Sequence, residues 1–178
     1  MPAGTSTAML FARLRLNLPD VRSLLVASAR SSVSASTLAT ELAESAADWG
    51  LNVTLIEVQE PPAGNQKAGT RSTPTSLEGE ERGDAAQSQR GVVERITSRP
   101  SSEGGEDSLA QALARPDRFF VVLGSGLLDS PATLLAVPEV DAVLIAARRG
   151  KTARSDLQDC RVEVERAGGK LAGAILLT

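Results

Sequence analysis

The stretch 23-SLLVASARSSVSASTLATELAESAADWGLNVTLIEV-58 decides how this chain is read. It opens on a run that is apolar at nearly every position, 24-LLVASA-29. A loop of small residues follows, from Ser28 to Thr37 (SARSSVSAST). Helical spacing then takes over across 36–49, where Leu38, Leu42, Ala46 and Trp49 share one stripe and Gly50 supplies the stop. A second apolar run, 52-NVTLIEV-58, closes the unit. Short strands with almost no polar position are buried on both faces, as in a parallel sheet. A strand that enters a helix through small residues is the layout of a phosphate-binding loop. There, backbone N–H groups and the positive helix end face an anion.

The same alternation continues along the chain. Further strands are expected at 119-FFVVLG-124, 141-DAVLIAA-147 and 171-LAGAILL-177, with a weaker one at 92-VVERI-96. Residues 152–167 place Leu157, Cys160, Val164 and Ala167 on one helical stripe that ends at Gly168-Gly169, and 107–115 form a shorter helix before Pro116. Alternating strand and helix give an α/β fold: a doubly wound, mainly parallel sheet flanked by helices. At 178 residues the chain, 1–178, is expected to be a single domain. Residues 60–91 contain almost no apolar side chain and cannot offset the entropy of ordering, which predicts a flexible surface insert. A second polar stretch covers 98–107.

Composition removes several chemistries. There is no histidine, so neither Ser-His-Asp nor Cys-His catalysis nor a histidine-ligated zinc is available. The single cysteine excludes an internal disulfide and a multi-cysteine metal site. Net charge is −3 and the pI about 5.1, which argues against a general nucleic-acid binder. The aromatics are only Phe11, Trp49, Phe119 and Phe120, too few for base stacking. No run reaches the ~18 apolar residues needed to span a bilayer. The N-terminus lacks the layout of a signal peptide, so a cytoplasmic location is expected, with the inner face of the membrane reached through a partner.

A working triphosphate loop needs glycines for close approach, a lysine for the terminal phosphates and a hydroxyl for Mg²⁺. Here Ser36 and Thr37 keep the hydroxyls. Ser31, Ser32 and Ser34 stand where glycine is wanted, and Ala35 stands in the lysine position. Each serine adds a Cβ that penalises positive φ, and loss of the lysine removes the mobile charge.

The stretch 23–58 resembles the cytoplasmic domain of the capsule- and exopolysaccharide-type bacterial tyrosine kinases (BY-kinases), which belong with the MinD and ParA ATPases to the deviant-Walker P-loop superfamily. The stretch 11-FARLRLNL-18 is similar to their F-R-x-L-R-T-N-L helix. The segment 119-FFVVLGSGLLDSPATLLAVPEVDAVLIAARRGKT-152 is similar to their Y-x-V-I-I-D-x-P-P-L-L-D-S and V-D-x-V-L-L-V-x-R-x-G-K-T segments, and 166-RAGGKLAGAILL-177 to their A-G-x-x-V-L-G-V-V-L-N. The resemblance covers most of 8–59 and 107–177. It implies a P-loop NTPase-like fold.

The departures fall on the chemistry that the resemblance would imply. Ser32 and Ser34 fill the glycine positions and Ala35 the lysine position. The family's I-D-x-D reads Ile56-Glu57-Val58-Gln59, and the Walker B aspartate falls on Gly124 or Ser125. The adenine-side asparagine is Leu177. Its E-x-x-R-x-x-R oligomerisation motif aligns with Met9, Ala12 and Arg15, and the chain has no tyrosine to phosphorylate. Mg²⁺ requires oxygen ligands in near-octahedral array, and phosphoryl transfer rests on positioning and charge.

The expectation is therefore a catalytically inactive pseudo-kinase: a structural or regulatory subunit of exopolysaccharide or capsule biosynthesis and export. Its implied partner is a membrane polysaccharide co-polymerase or an active kinase paralogue, and no cofactor is expected. If the degenerate loop still binds ATP and Mg²⁺, Ser32, Ser34, Ala35, Ser36, Thr37 and Glu57 are the residues concerned. Two alternatives stand beside it: a weakly active BY-kinase-like ATPase, and a MinD/ParA-like positioning or scaffold protein. Among single residues, Arg30 is expected to be a solvated loop cation. Asp129 is expected to cap the turn or helix that follows it, and Cys160 to be a buried hydrophobe. The run 148-RRGKTAR-154 is expected to be a solvated loop, or one that attracts an acidic partner or lipid headgroups.

Overall fold

The computed structural model describes residues 4–60, 91–98 and 109–177; the expected insert at 60–91 and the polar stretch at 98–107 lie almost wholly outside them. The element order is α1 (Gly4–Asn17), β1 (Ser23–Ser28), α2 (Ser36–Asp48), β2 (Val53–Val58), β3 (Val93–Ser98), α3 (Leu109–Leu113), β4 (Phe119–Gly126), α4 (Pro131–Ala136), β5 (Ala142–Arg148), α5 (Arg154–Arg166) and β6 (Leu171–Leu177), with a 3-10 turn Val137–Glu139 after α4. The six strands form one sheet in the order β3-β2-β4-β1-β5-β6, and every pair is parallel. This is the doubly wound α/β architecture that the alternation predicts. The weak strand at 92–96 is a full strand at the sheet edge.

Burial explains the composition of the strands. Every residue of β1 is buried, and six of the seven in β5 are too. Successive side chains point to opposite faces, so two cores form. On one face Leu24, Val26, Val53, Leu55, Phe119, Val121 and Leu144 meet Leu38, Leu42 and Ala46 of α2. On the other, Leu25, Phe120, Val122, Val143 and Ile145 meet Val137, Cys160 and Val164. Phe11 of α1 is fully buried and stands edge-on to Trp49 (5.6 Å, 84°) and Phe119 (5.5 Å, 85°). Trp49 is nevertheless 54% exposed, so its stripe ends at the rim of the core. Gly50 takes φ +81° after α2, a conformation that penalises side chains.

The strand order fixes where a site can form. The chain runs outward from β1 to β2 and β3, returns to β4 beside β1, and then leaves on the other side through β5 and β6. The reversal puts the loops after β1 and β4 next to each other at the carboxyl edge of the sheet, where open α/β sheets bind ligands.

Candidate functional site

The loop after β1 is held tightly. The Val33 N–H donates to the Arg30 carbonyl (3.1 Å), and the Ser28 hydroxyl donates to the same carbonyl (2.7 Å). Among the described residues no non-glycine has positive φ, so the serines at 31, 32 and 34 carry no backbone strain. Ser32, Ser34, Ser36 and Thr37 are exposed around the turn and the first residues of α2. The Ser34 and Ser36 hydroxyls lie 2.8 Å apart, and the Ser36 N–H donates to Ser34 Oγ (3.3 Å). Ala35, which the resemblance sets at the lysine position, is 3% exposed and belongs to the core under α2.

The loop already has an anion against it. Ser31 N–H lies 3.1 and 3.2 Å from the two carboxylate oxygens of Asp129, and the Ser31 hydroxyl donates to Asp129 Oδ2 (3.0 Å). Asp129 therefore does not cap the following helix, as the sequence suggested. Ser130 does so, its hydroxyl accepting the Thr133 N–H (3.0 Å), because the serine is one residue nearer the helix start. The contact is possible because Gly126 lies against the loop. A Cβ on Gly126 would sit 1.9 Å from Asp129 Oδ1, 2.2 Å from the Ser31 nitrogen and 2.5 Å from the Arg30 carbonyl carbon. The position tolerates nothing larger than glycine.

Gly124 of β4 is closed to a side chain as well. Between the pairs Val26↔Leu123 and Ser28↔Gly126, β4 holds one residue more than β1, so Gly124 and Ser125 lie in a bulge. A Cβ on Gly124 would come 2.7 Å from Thr133 Cγ2. The Thr133 hydroxyl takes the Ser125 N–H (3.0 Å) and lies 2.8 Å from the Ser130 hydroxyl. Of the two positions that the resemblance sets against an acid, Gly124 is packed on a threonine and Ser125 is exposed.

Glu57 lies at the end of β2, exposed, in register with Leu123 and Thr97. β4 separates it from the β1 loop, so it shares the carboxyl edge with Ser32–Thr37 without joining their cluster. Two partners were missed by sequence reasoning. Ser130 donates to the Glu60 carboxylate, three residues beyond Glu57. Arg30 is exposed, as expected, and is also paired with Asp156 of α5: its Nε and Nη2 lie 3.2 and 3.1 Å from Asp156 Oδ1. Asp156 also accepts the Ala153 N–H at the start of α5 (3.2 Å). The hydrogen bond and charge of Asp156 raise the Arg30 pKa, and Arg30 lowers that of Asp156. The pairs Asp129–Ser31 and Arg30–Asp156 span 98 and 126 residues, so no local motif could reveal them.

No family model matches the chain, and no curated protein sequence matches it. Solved structures do. The kinase domain of the Escherichia coli tyrosine kinase ETK superimposes with a TM-score of 0.69 at 16% identity, covering 98% of this chain and 74% of that one. The chimerical protein CapA2B2 gives 0.69 at 16%, covering 99% and 84%. The BceF tyrosine kinase domain gives 0.59 at 15%, covering 98% and 76%. At these identities the likeness is one of fold: the chain has the P-loop NTPase-like α/β fold of bacterial tyrosine kinase domains.

Proposed function

We propose that this chain is a non-catalytic relative of the bacterial tyrosine kinases, a structural or regulatory subunit in exopolysaccharide or capsule assembly. Its partner is a membrane polysaccharide co-polymerase or an active kinase paralogue. One observation carries the reading: the backbone N–H and hydroxyl of Ser31, in the loop that would cradle phosphate, are taken by the carboxylate of Asp129. A fixed negative charge repels a phosphate and uses the donors it would need. Ala35 in the core and Gly124 against Thr133 support the same reading, since neither position offers a charge to a nucleotide or metal. A domain whose two cores are filled by its own side chains, Ala29 and Ala35 of the loop among them, keeps its fold and its surfaces without a ligand.

Calorimetry with Mg-ATP and Mg-ADP tests this. No binding tighter than ~10 μM, about −7 kcal/mol, is expected. Tighter binding that depends on Ser36 or Thr37 contradicts the proposal and favours the weakly active ATPase. That second reading has one observation on its side: the hydroxyls of Ser34, Ser36 and Thr37 and the carboxylate of Glu57 are all exposed at the carboxyl edge.

A further inference from the structure

The carboxyl edge of the sheet is divided by charge. Its β2–β4 half carries Glu57, Glu60 and Asp129. Arg30, at the middle, is neutralised by Asp156. The β5–β6 end carries Arg148, Arg149, Lys151 and Arg154, all exposed and none ion-paired among the described residues. The turn that presents them is fixed by its backbone. The Arg148 N–H donates to Thr152 Oγ1 (2.9 Å), and the Lys151 and Thr152 N–H groups donate to the Arg148 carbonyl (3.0 and 2.9 Å). Gly150 closes it at φ +75°. The end of β6 lies alongside: Arg148 is in register with Leu177, the Arg149 N–H donates to the Leu177 carbonyl (3.3 Å), and Leu176 is 63% exposed.

This arrangement opposes folding. Four like charges within seven residues repel one another, and Arg154 occupies the first residue of α5, where the positive helix end disfavours a cation. The four side chains make no hydrogen bond among the described residues, so nothing presets them for one fixed acid. Long cations without anchors beside an exposed leucine suit an extended anionic surface that meets all of them at once. We propose that this corner docks directly on an anionic lipid bilayer, with Arg148, Arg149, Lys151 and Arg154 at the headgroups and Leu176 at their inner margin. The inference does not depend on whether the β1 loop binds nucleotide.

Co-sedimentation of the full chain with vesicles tests it, comparing phosphatidylcholine alone with vesicles containing about one-third phosphatidylglycerol. Binding to the anionic vesicles only is expected, weakening as salt shortens the screening length. Arg149→Gln with Lys151→Gln lowers the partition coefficient about 25-fold, about fivefold for each cation. Removing the same charge elsewhere, by Arg161→Gln with Arg166→Gln, leaves it unchanged; these two are paired with Glu165 and Glu163. The proposal is overturned by equal or absent binding to both vesicles, by equal losses in the two double variants, or by tighter binding to soluble polyglutamate than to the anionic vesicles. Unchanged thermal unfolding of each variant shows that a loss is not one of folding.

Discussion

Replacing Asp129 by alanine removes the acceptor that closes the β1 loop. The carboxylate receives two donors from Ser31 at 3.0 to 3.2 Å. Hydrogen bonds to a charged group are worth about 1.5–3 kcal/mol when shielded. Ser31 and Asp129 are both exposed, so water replaces much of the loss and the net cost is about 1 kcal/mol. For a chain of this size that lowers Tm by about 2–4 °C. The sharper readout is local. Hydrogen exchange at the Ser31 amide should accelerate about fivefold in Asp129→Ala, and by less in Asp129→Asn, which keeps one oxygen acceptor. Amides in the centre of β1 should keep their protection. If Ser31 exchanges at the same rate in all three proteins, the carboxylate does not hold the loop, and the account of a self-filled phosphate site fails with it.

Gly126→Ala should cost about 1–3 kcal/mol or more in denaturant unfolding, since its Cβ meets backbone on the facing loop; a loss below about 0.5 kcal/mol would mean that the two loops are not packed as described. Asp141 accepts the N–H groups of Arg22 and Ser23 and the Ser23 hydroxyl, each at 2.8–2.9 Å. Burial raises its pKa, but these bonds and the charge of Arg22 outweigh burial and hold it below the usual carboxylate value. Its contribution is therefore complete above about pH 4 and fades as pH falls through the lowered folded value. Wild type should be more stable than Asp141→Asn at pH 7, with the gap closing on acidification; a gap that widens would reverse the sign. Cys160 is fully buried, and burial, with Asp156 and Asp159 adding to it, pushes its thiol up to about 11. Thiol reagents should label it only as the chain unfolds, and labelling at the rate of a free thiol in native buffer would contradict its place in the core.

The framework was legible because it is written in local patterns. All-apolar runs gave the parallel strands to within a residue or two, and the stripe Leu38, Leu42, Ala46 gave α2. Gly50 and Gly168 marked where helices end. β3 was harder, because four of its six residues, Glu94, Arg95, Thr97 and Ser98, are polar and it lies at the sheet edge. The serines and the alanine of the β1 loop could also be read directly. What filled the site could not. Asp129 reads locally as a helix cap, and only the sheet order β4-β1 brings it to Ser31. The partner of Arg30 is likewise hidden until α5 delivers Asp156. The meaning of Gly126 depends on a neighbour almost a hundred residues away.

The most direct test of the central claim follows the Ser31 amide by NMR while Mg-ATP, and separately inorganic phosphate, is added to the wild-type chain. With Asp129 holding that donor, the resonances of Ser31 to Thr37 should stay in place throughout the titration. Saturable shifts at these residues at micromolar nucleotide, with the Ser31 amide released from Asp129, would mean that the loop still grips phosphate.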